Sequence, residues 1–534
     1  MKRKKCCACM VPTLMVFCLL FVWRERWIYY VISADQHVSF NEKINKELNL
    51  MIHSGQSEKI PKVGYNIVNS RNVGATRTLP NTRHESCTTS SNLAVHLHAR
   101  IPKISFVVTV DQAERSVLAR NILSAIYNAE PLMIFEMVLV LDGVFDTILE
   151  NYFMNIPRVT VIKNEHTKGR AMSRMQGVAA VRGEIIVFID SLTEMNVDWL
   201  SPLVLRIIES PKSVVLPVYD VIDHMTFKYY SLAELYRLGF DWSLKSHLEQ
   251  FSSPYVIDSN PVTVFRTPLM SGNVFAMRRD FFLWLGQYET SFLEHSMDDL
   301  ELSLRIWLCG GLIEIVPCSR VGVVNIRSSD SHASFNNYLR SAKRVAEVWL
   351  DEYKRFFYAV RPSARMQPIA DISSMRKAKE KLKCRNFKWY LTNIYPQLQP
   401  LVTDELAFGN IRQGEYCLDL DPGQLPLIAK LRQCENEKNS QEWSWRKTGN
   451  IVSNGMCLTS NLIDMRTFVL VNFCKDLDNN QIWYRHEEKI VHMDTNLCLD
   501  AQHATTGLII SDCIKGKASQ AWIISTDQSS EVNI

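Results

Sequence analysis

The chain has 534 residues, which at roughly 150 residues per domain predicts two to four domains. Hydrophobic residues make up 47% and charged residues 22%, which excludes a disordered chain and a multi-pass membrane protein. The formal net charge of +4 is 60 Lys and Arg minus 56 Asp and Glu, and it is carried by Lys2, Arg3, Lys4 and Lys5. The rest is formally neutral, which argues against a nucleic-acid-binding protein.

The amino terminus carries the pattern of a membrane anchor. Residues 6–23 are uncharged and mostly apolar, long enough to span a bilayer, and the preceding cations predict a cytosolic tail over residues 1–5. A cleaved signal peptide is the alternative, with a site near Ala34, but Ile32 is bulky where a small residue is preferred. Both interpretations place the rest of the chain in a lumen or outside the cell.

Ten cysteines follow the anchor region, an even number that predicts disulfides in a secretory compartment. A zinc site is the alternative, but no C-x2-C pair occurs outside the anchor. Disulfides are therefore the favoured interpretation.

Residues 24–100 are polar and lack periodicity, which predicts a lumenal stem. Buried strands are then predicted at 104–110, 137–142, 159–162 and 184–190, with helices to about residue 128 and over 172–181. Strands that alternate with helices predict a parallel, doubly wound sheet. Asp142 and Asp190 end two of the strands, where a nucleotide or metal binds in such sheets. Strand-end aspartates also cap helices and turns, so this alternative stays open.

The last 130 residues contain an internal repeat. Cys-Leu pairs begin at Cys417, Cys457 and Cys498, and each copy has a second cysteine and a Gln-x-Trp further on. Three copies in one register predict a threefold β-trefoil.

These motifs resemble a known family. Cys-Leu-Asp and Gln-x-Trp mark the repeats of ricin-type lectin domains, and the whole order of segments is similar to the polypeptide N-acetylgalactosaminyltransferases. Further similar stretches are DVI (220–222), GFDW (239–242), RTP (266–268), ELSLRIWLCGG (301–311), PCSRVG (317–322), AEVWLDEYKRFFY (346–358) and FKWYLTNIYP (387–396). The resemblance covers about residues 100–530.

The resemblance implies a Golgi type II membrane enzyme with a GT-A domain over residues 101–396, a Rossmann-like and mostly parallel α/β fold, and a trefoil over 404–532. Such enzymes transfer GalNAc from UDP-GalNAc to Ser or Thr with retention and use Mn²⁺, in mucin-type O-glycosylation. Five disulfides are implied: Cys87–Cys318, Cys309–Cys384, Cys417–Cys434, Cys457–Cys474 and Cys498–Cys513.

The residues that would bind Mn²⁺ depart from the family pattern. The family uses an Asp-x-His and the His of a Val-Gly-His, but here these read Asp190-Ser191-Leu192 and Val321-Gly322-Val323. A divalent ion on a diphosphate needs several protein ligands, so Asp190 alone predicts weak binding. His224, His295, Asp298 and Asp299 are the candidate substitute ligands, although a lone His is more often structural or exposed than a metal ligand.

Other site positions differ as well. Asp298 stands where the family has a Glu, one methylene shorter, and is the candidate catalytic residue. Asp142, Asp190, Ser191 and Gly272 are the candidate nucleotide- or substrate-binding residues. Three further family motifs are altered, as Thr109–Ala113, as Thr167-Lys168-Gly169 and as Ser271-Gly272-Asn273.

The lectin repeats show the same divergence. The family binds sugar through the Asp of Cys-Leu-Asp, an aromatic residue two before the second Cys, and an Asn before Gln-x-Trp. Asp419 and Asp500 remain, but the aromatic position holds Arg432, Asn472 or Ser511. A trefoil kept as a folded cap competes with sugar binding.

The sequence and the resemblance lead to three hypotheses about function. The favoured hypothesis is an inactive family member that binds glycoprotein or peptide substrates, or active relatives. The second is an active GalNAc-transferase with altered metal or nucleotide chemistry, and the third is a pure carbohydrate-binding module.

Overall fold

The computed structural model describes residues 46, 64–87, 101–111, 114–130, 133–144, 147–156, 158–232, 235–250, 261–290, 292, 295–325, 335–365, 367–398, 405–420, 428–435, 439–453, 456–460, 468–475, 478–502 and 507–527. The predicted tail (1–5) and anchor (6–23) lie outside these residues. Among the helices that are described, none is long and apolar enough to cross a bilayer.

The chain divides into two units. The first comprises residues up to 237 with 249–290 and 311–329, and the second comprises 238–248, 291–310 and 330–534. The second unit contains the helical segment after residue 330 together with the trefoil. The domain bounds at 396 and 404 stay a prediction.

The first unit contains one large β-sheet, and every strand of this sheet belongs to that unit. Its strands are β1 (Ile104–Val110), β2 (Ile134–Asp142), β3 (Val159–Asn164), β4 (Ile185–Asp190), β5 (Thr193–Met195), β6 (Ser213–Asp223), β7 (Tyr229–Tyr230), β10 (Phe265–Arg266), β11 (Val274–Arg278) and β12 (Leu312–Asn325). Two further strands, β8 (Tyr236–Phe240) and β9 (Ser246–Gln250), form a separate two-stranded sheet among the described residues.

The predicted parallel sheet is correct only for part of the strands, because the sheet is mixed. Strands β4, β1, β2 and β3 run parallel in that order, as do β6 and β12. Strand β11 runs antiparallel to both β4 and β6. The prediction covered only the four strands up to residue 190, and the antiparallel partners come from later segments. Strand β1 is buried along its whole length, as a central strand covered on both faces must be.

Helices cover this sheet and bury an apolar core. They are α1 (Ile67–Asn72), α2 (Arg115–Tyr127), α3 (Thr147–Met154), α4 (Arg170–Ala180), α5 (Leu200–Glu209) and α6 (Arg279–Trp284). Phe106, Leu139, Ile189 and Trp199 are at most 1% exposed in the shared core. The predicted helices near 115–128 and 172–181 correspond to α2 and α4.

Residues 64–87 form a segment that we call the strap, and they fold onto the first unit although the sequence placed them in the stem. Arg77 donates to Glu194, Thr82 donates to Asp220, and Cys87 is joined to Cys318. Tyr65 and Ile67 pack in a small apolar cluster of the same unit. The strap therefore belongs to the α/β unit.

The second unit begins with helices and ends with β-structure. Its helices are α7 (His295–Leu308), α8 (Phe335–Trp349), α9 (Lys354–Val360), α10 (Ser373–Lys381) and α11 (Phe387–Asn393). A disulfide between Cys309 and Cys384 joins two of these segments. Inside this unit, the backbone N–H of Ser363 donates to the Glu442 carboxylate, which connects the helical part to the trefoil.

The trefoil repeats its contacts three times. Its strands are β13 (Glu405–Gln413), β14 (Tyr416–Leu420), β15 (Ala429–Gln433), β16 (Trp443–Arg446), β17 (Ile451–Ser453), β18 (Met456–Thr459), β19 (Leu470–Phe473), β20 (Trp483–His486), β21 (Lys489–His492), β22 (Cys498–Asp500), β23 (Ile509–Ser511) and β24 (Ile523–Asp527). In every repeat the Trp indole N–H donates to the Leu carbonyl of Cys-Leu at 2.9 Å. Each repeat also contains its local disulfide. The five disulfides among the described residues are those that the resemblance implies.

Candidate functional site

Both oxygens of the Asp142 carboxylate accept hydrogen bonds from residues of the same unit. Its Oδ1 accepts from the Lys168 backbone N–H at 2.8 Å and from the Asn164 side chain at 3.0 Å, and Oδ2 accepts from the Gly169 backbone N–H at 2.9 Å. These contacts hold the loop that leads into α4, where unsatisfied backbone N–H groups are found at a helix start. Asp142 is 3% exposed. The cap-or-turn alternative therefore accounts for the two contacts with the backbone of this loop, and the third contact is with the Asn164 side chain at the end of β3.

Gly143 makes this arrangement possible. Its φ is +71°, a backbone conformation that residues with a side chain rarely adopt. A Cβ atom at this position would lie 2.4 Å from the Thr167 hydroxyl oxygen. The absence of a side chain thus lets the turn after β2 approach the loop before α4.

Asp190 ends β4 in a turn that is held by backbone contacts. Its N–H donates to the Asn273 carbonyl at 2.7 Å, and its carbonyl accepts from the Thr193 hydroxyl and the Asn121 amide. The carboxylate accepts a long hydrogen bond from the Leu192 N–H at 3.4 Å. Asp190 is the one of the two predicted strand-end aspartates whose carboxylate is not committed to helix capping.

The surroundings of Asp190 contain charges of both signs. Burial raises the pKa of Asp190, and repulsion from the Asp111 carboxylate raises that pKa further. The guanidinium groups of Arg170 and Arg174 on α4 act in the opposite direction. Asp111 directly follows the buried strand β1, whereas Asp142 and Asp190 are the last residues of β2 and β4. An aspartate at the end of a buried strand is therefore a sequence signal that also marks Asp111.

The two aliphatic replacements are neighbours of Asp190 in the fold. Leu192 comes two residues after Asp190, and its carbonyl accepts from the Val324 N–H at 3.0 Å. Val323 pairs with Thr193 in the β12–β5 register. Leu192 packs partly buried against two apolar clusters. The positions at which the family would place two imidazoles therefore present apolar side chains.

This donor set does not fit a divalent metal site. Among the described residues, no group of three or more His, Cys, Asp and Glu side chains is arranged to hold a metal ion. The Ser191 hydroxyl between Asp190 and Leu192 is buried and has no hydrogen-bond partner in the described part of the chain. Of the proposed substitute ligands, His224 lies in the β6–β7 turn, where its carbonyl accepts from the Asn66 N–H.

Gly272 is held by a residue that the sequence did not single out. Its carbonyl accepts from the guanidinium of Arg174, which also donates to the Tyr288 hydroxyl at 3.0 Å. The Arg174 side chain lies over the rings of Phe188 and Phe275 at 5.8 and 5.4 Å. Arg174 is fully buried, and no local sequence pattern marks an arginine of this kind.

Asp298, the candidate catalytic residue, lies in the second unit, whereas Asp142, Asp190, Ser191 and Gly272 lie in the first. It occupies the first turn of α7 and is 3% exposed. A carboxylate in the first turn of a helix is favoured by the helix dipole, which is a structural reason for its presence.

The lectin aspartates are also buried. Asp419 is 1% exposed and accepts from Gln441 at 2.9 Å, while Asp500 is fully buried. Asp500 accepts from Lys517 and Ser511 at 2.6 Å and from Gln520 at 3.1 Å. In the second repeat Thr459 accepts from Gln481 at 3.2 Å. The Gln of each Gln-x-Trp thus contacts the residue that follows Cys-Leu.

Two domain families match the chain. Residues 105–282 match glycosyl transferase family 2, and residues 407–522 match the ricin-type beta-trefoil lectin domain. The fold is also similar to a crystal structure of GalNAc-T7 with UDP, GalNAc and Mn²⁺, with a TM-score of 0.77 and 26% identity over 88% of this chain and 89% of that chain.

Relatives that align over most of this chain identify the family more specifically. Human polypeptide N-acetylgalactosaminyltransferase 14 is 34% identical and covers 86% of this chain and 85% of its own length. Mouse polypeptide N-acetylgalactosaminyltransferase 16 is 32% identical over 93% of this chain and 90% of its own. A Macaca fascicularis relative, inactive polypeptide N-acetylgalactosaminyltransferase-like protein 5, is 34% identical over 64% of this chain and 77% of its own. The chain belongs to the polypeptide N-acetylgalactosaminyltransferase family.

Proposed function

We propose that this chain is a family member without Mn²⁺-dependent GalNAc transfer, which acts by binding glycoprotein or peptide substrates or active relatives. The observation that carries the proposal is the pair of aliphatic side chains, Leu192 and Val323, beside Asp190. A metal that bridges a diphosphate needs several oxygen or nitrogen ligands from the protein. One carboxylate cannot fix its geometry.

Without a bound metal, the site lacks the divalent positive charge that would stabilise UDP as the leaving group. Metal coordination to a departing phosphate contributes several kcal/mol of transition-state stabilisation. Because each 1.36 kcal/mol changes a rate tenfold, even ~4 kcal/mol corresponds to roughly a thousandfold slower transfer. The name of the Macaca fascicularis relative, an inactive family-like protein, is consistent with a loss of this kind.

The state of the lectin repeats supports a binding role that does not depend on their sugar sites. Asp500 is engaged by Lys517, and Asp419 is engaged by Gln441. Both carboxylates are thus used in contacts inside their own repeats. We propose that the trefoil serves as a folded cap, and a glycan array with strong and selective hits would contradict this part.

The direct test of inactivity is transfer from UDP-GalNAc. The purified chain is incubated with Mn²⁺, UDP-GalNAc and a panel of Ser- and Thr-containing peptides and glycopeptides, beside an active family member. The proposal expects no GalNAc-peptide product and no release of UDP above the protein-free reaction. Product formation that disappears on chelation of the metal would overturn it.

A metal-independent transferase is the second candidate, and the charges around Asp190 favour it. Arg170 and Arg174 on α4 both act on the charge of Asp190. Arg170 is the candidate to stabilise a diphosphate as a metal would, because Arg174 is fully buried against Gly272 and Tyr288. This candidate predicts peptide transfer that is unchanged by EDTA. The same assay separates it from the first proposal, because an inactive protein gives no product with or without EDTA.

We further propose that the protein is a single-pass type II protein of the Golgi membrane, with both units in the lumen. The support is the apolar run at residues 6–23 after four cations, together with five disulfides, which form in secretory compartments. Protease protection in sealed microsomes tests the orientation, and a carboxyl-terminal tag that is digested without detergent would contradict it.

A further inference from the structure

The α/β unit contains a cavity that is distinct from the Asp190 site. It has a volume of about 470 Å³ and lies between strap residues 75–79 and helix α2. Neither Asp142 nor Asp190 nor Gly272 is among the described residues that line it. Volumes of 300–1,000 Å³ are typical of sites for small molecules.

The charged residues that line the cavity carry a net positive charge. Glu194 accepts from the Nε of Arg120 at 2.9 Å through one oxygen and from the Nε of Arg77 at 2.8 Å through the other. Two guanidinium groups thus share a single carboxylate. Two acids of the same unit are paired with other cations, Glu114 with Arg71 and Asp198 with Arg83. The lining groups alone therefore leave one positive charge in excess.

One of the two guanidinium groups has a donor without an acceptor. The remaining nitrogens of Arg120 donate to the Ser70 carbonyl, the Val73 carbonyl and the Ser70 hydroxyl. Arg77 donates through Nη1 to the Phe227 carbonyl, but its Nη2 is buried and has no hydrogen-bond partner among the described residues. A buried charged donor without an acceptor costs more free energy than it would in water, so an acceptor at this point is stabilising.

The rest of the lining is partly apolar. Leu79, Leu123 and Val197 contribute aliphatic surface, and Tyr127 is 41% exposed. An anion with an apolar body would satisfy the excess charge at one end and bury hydrocarbon at the other. From these contacts we propose that the cavity is a binding site for a small anion, a carboxylate or phosphate group attached to an apolar moiety.

The test is calorimetric titration of the purified full-length chain at constant ionic strength. The probes are sodium hexanoate for the carboxylate, hexyl phosphate for the phosphate, and hexanamide as the uncharged control of the same length. We expect saturable 1:1 binding of at least one anion and at least tenfold weaker binding of hexanamide. Binding of only one anion identifies the headgroup. No saturable binding of either anion, or equal binding of hexanamide, would overturn the proposal.

Two variants locate the site. Arg77→Gln removes the guanidinium and is expected to weaken anion binding at least tenfold. Because Arg77 also pairs with Glu194, Val197→Trp provides an independent variant that obstructs the cavity from a residue that is 40% exposed. Val68→Trp, on a strap residue that is 68% exposed and does not line the cavity, is the matched control. Binding that survives Val197→Trp in a folded protein would place the anion elsewhere and contradict the proposal.

Discussion

Two strand-end aspartates with the same sequence context have different roles at the residue scale. Asp142 gives its carboxylate to the backbone of Lys168 and Gly169, whereas Asp190 faces charges from Asp111, Arg170 and Arg174. Residue type and position in a strand predicted both as binding residues. The partners of each oxygen distinguish the two residues: the Asp142 carboxylate accepts two N–H groups of the loop before α4, whereas the Asp190 carboxylate accepts a long hydrogen bond from the Leu192 N–H.

The role of Asp142 predicts a loss of stability on truncation. Asp142→Ala leaves the N–H groups of Lys168 and Gly169 without their acceptor and is expected to lower the free energy of unfolding by about 2 kcal/mol. Asp142→Asn keeps one carbonyl acceptor and should cost less. Urea unfolding of the three proteins measures the difference, and an alanine variant as stable as the parent would contradict the capping role.

Restoring the two imidazoles tests the cause of the proposed inactivity. Leu192→His combined with Val323→His places nitrogen donors beside Asp190, so we expect at least tenfold tighter UDP binding in the presence of Mn²⁺ than in its absence. The matched control is Leu192→Asn with Val323→Asn, which adds polarity without imidazole. Titration with UDP measures the effect, and a histidine pair that leaves UDP affinity independent of Mn²⁺ would contradict the assignment of these positions.

At the scale of single elements, the third trefoil repeat contains an internal ion pair: the Asp500 carboxylate pairs with the Lys517 ammonium group. Burial alone would raise the pKa of Asp500, but hydrogen bonds from Lys517, Ser511, Ser519 and Gln520 outweigh it and hold the pKa at about 2. The same repeat carries Ser511 where the family has an aromatic residue. Strands β22 and β23 and the turn at Lys517 are thus joined by polar contacts.

This ion pair predicts a pH dependence of stability. Because the folded pKa of Asp500 lies below its ordinary value of 3.8, its contribution is complete above about pH 4 and is lost as the pH falls through about 2. The loss is at most about 2 kcal/mol. Lys517→Met should make it smaller, because it raises the folded pKa. Urea unfolding between pH 2 and 6 tests this, and equal slopes for parent and variant would contradict it.

For the whole molecule, the sequence predicted those parts that repeat or alternate regularly. The three trefoil repeats were recognisable because Cys-Leu and Gln-x-Trp recur, and these are the residues that form the repeated disulfides and the indole contacts. The first four strands were recognisable as short apolar runs. Both patterns lie within short stretches of sequence, so they can be recognised without knowing which distant residues contact them.

Features that depend on distant partners were not predicted. The strap looked like a spacer because its polar residues find their partners far along the chain, as Arg77 does with Glu194, 117 residues away. The antiparallel position of β11 between β4 and β6 likewise has no local signal. In the candidate site, the departures at Leu192 and Val323 are visible from the sequence. The contacts of Asp142 with the loop before α4 and of Arg174 with Gly272 join residues that are far apart in the chain, so no local pattern marks them.

The most direct test of the central claim is calorimetric titration of the purified chain with UDP, with and without Mn²⁺. With Leu192 and Val323 beside Asp190, we expect the affinity for UDP to be undetectable or unchanged by Mn²⁺. Micromolar binding that requires Mn²⁺, corresponding to about 8 kcal/mol, would show that the chain holds the metal through other residues and would contradict the account.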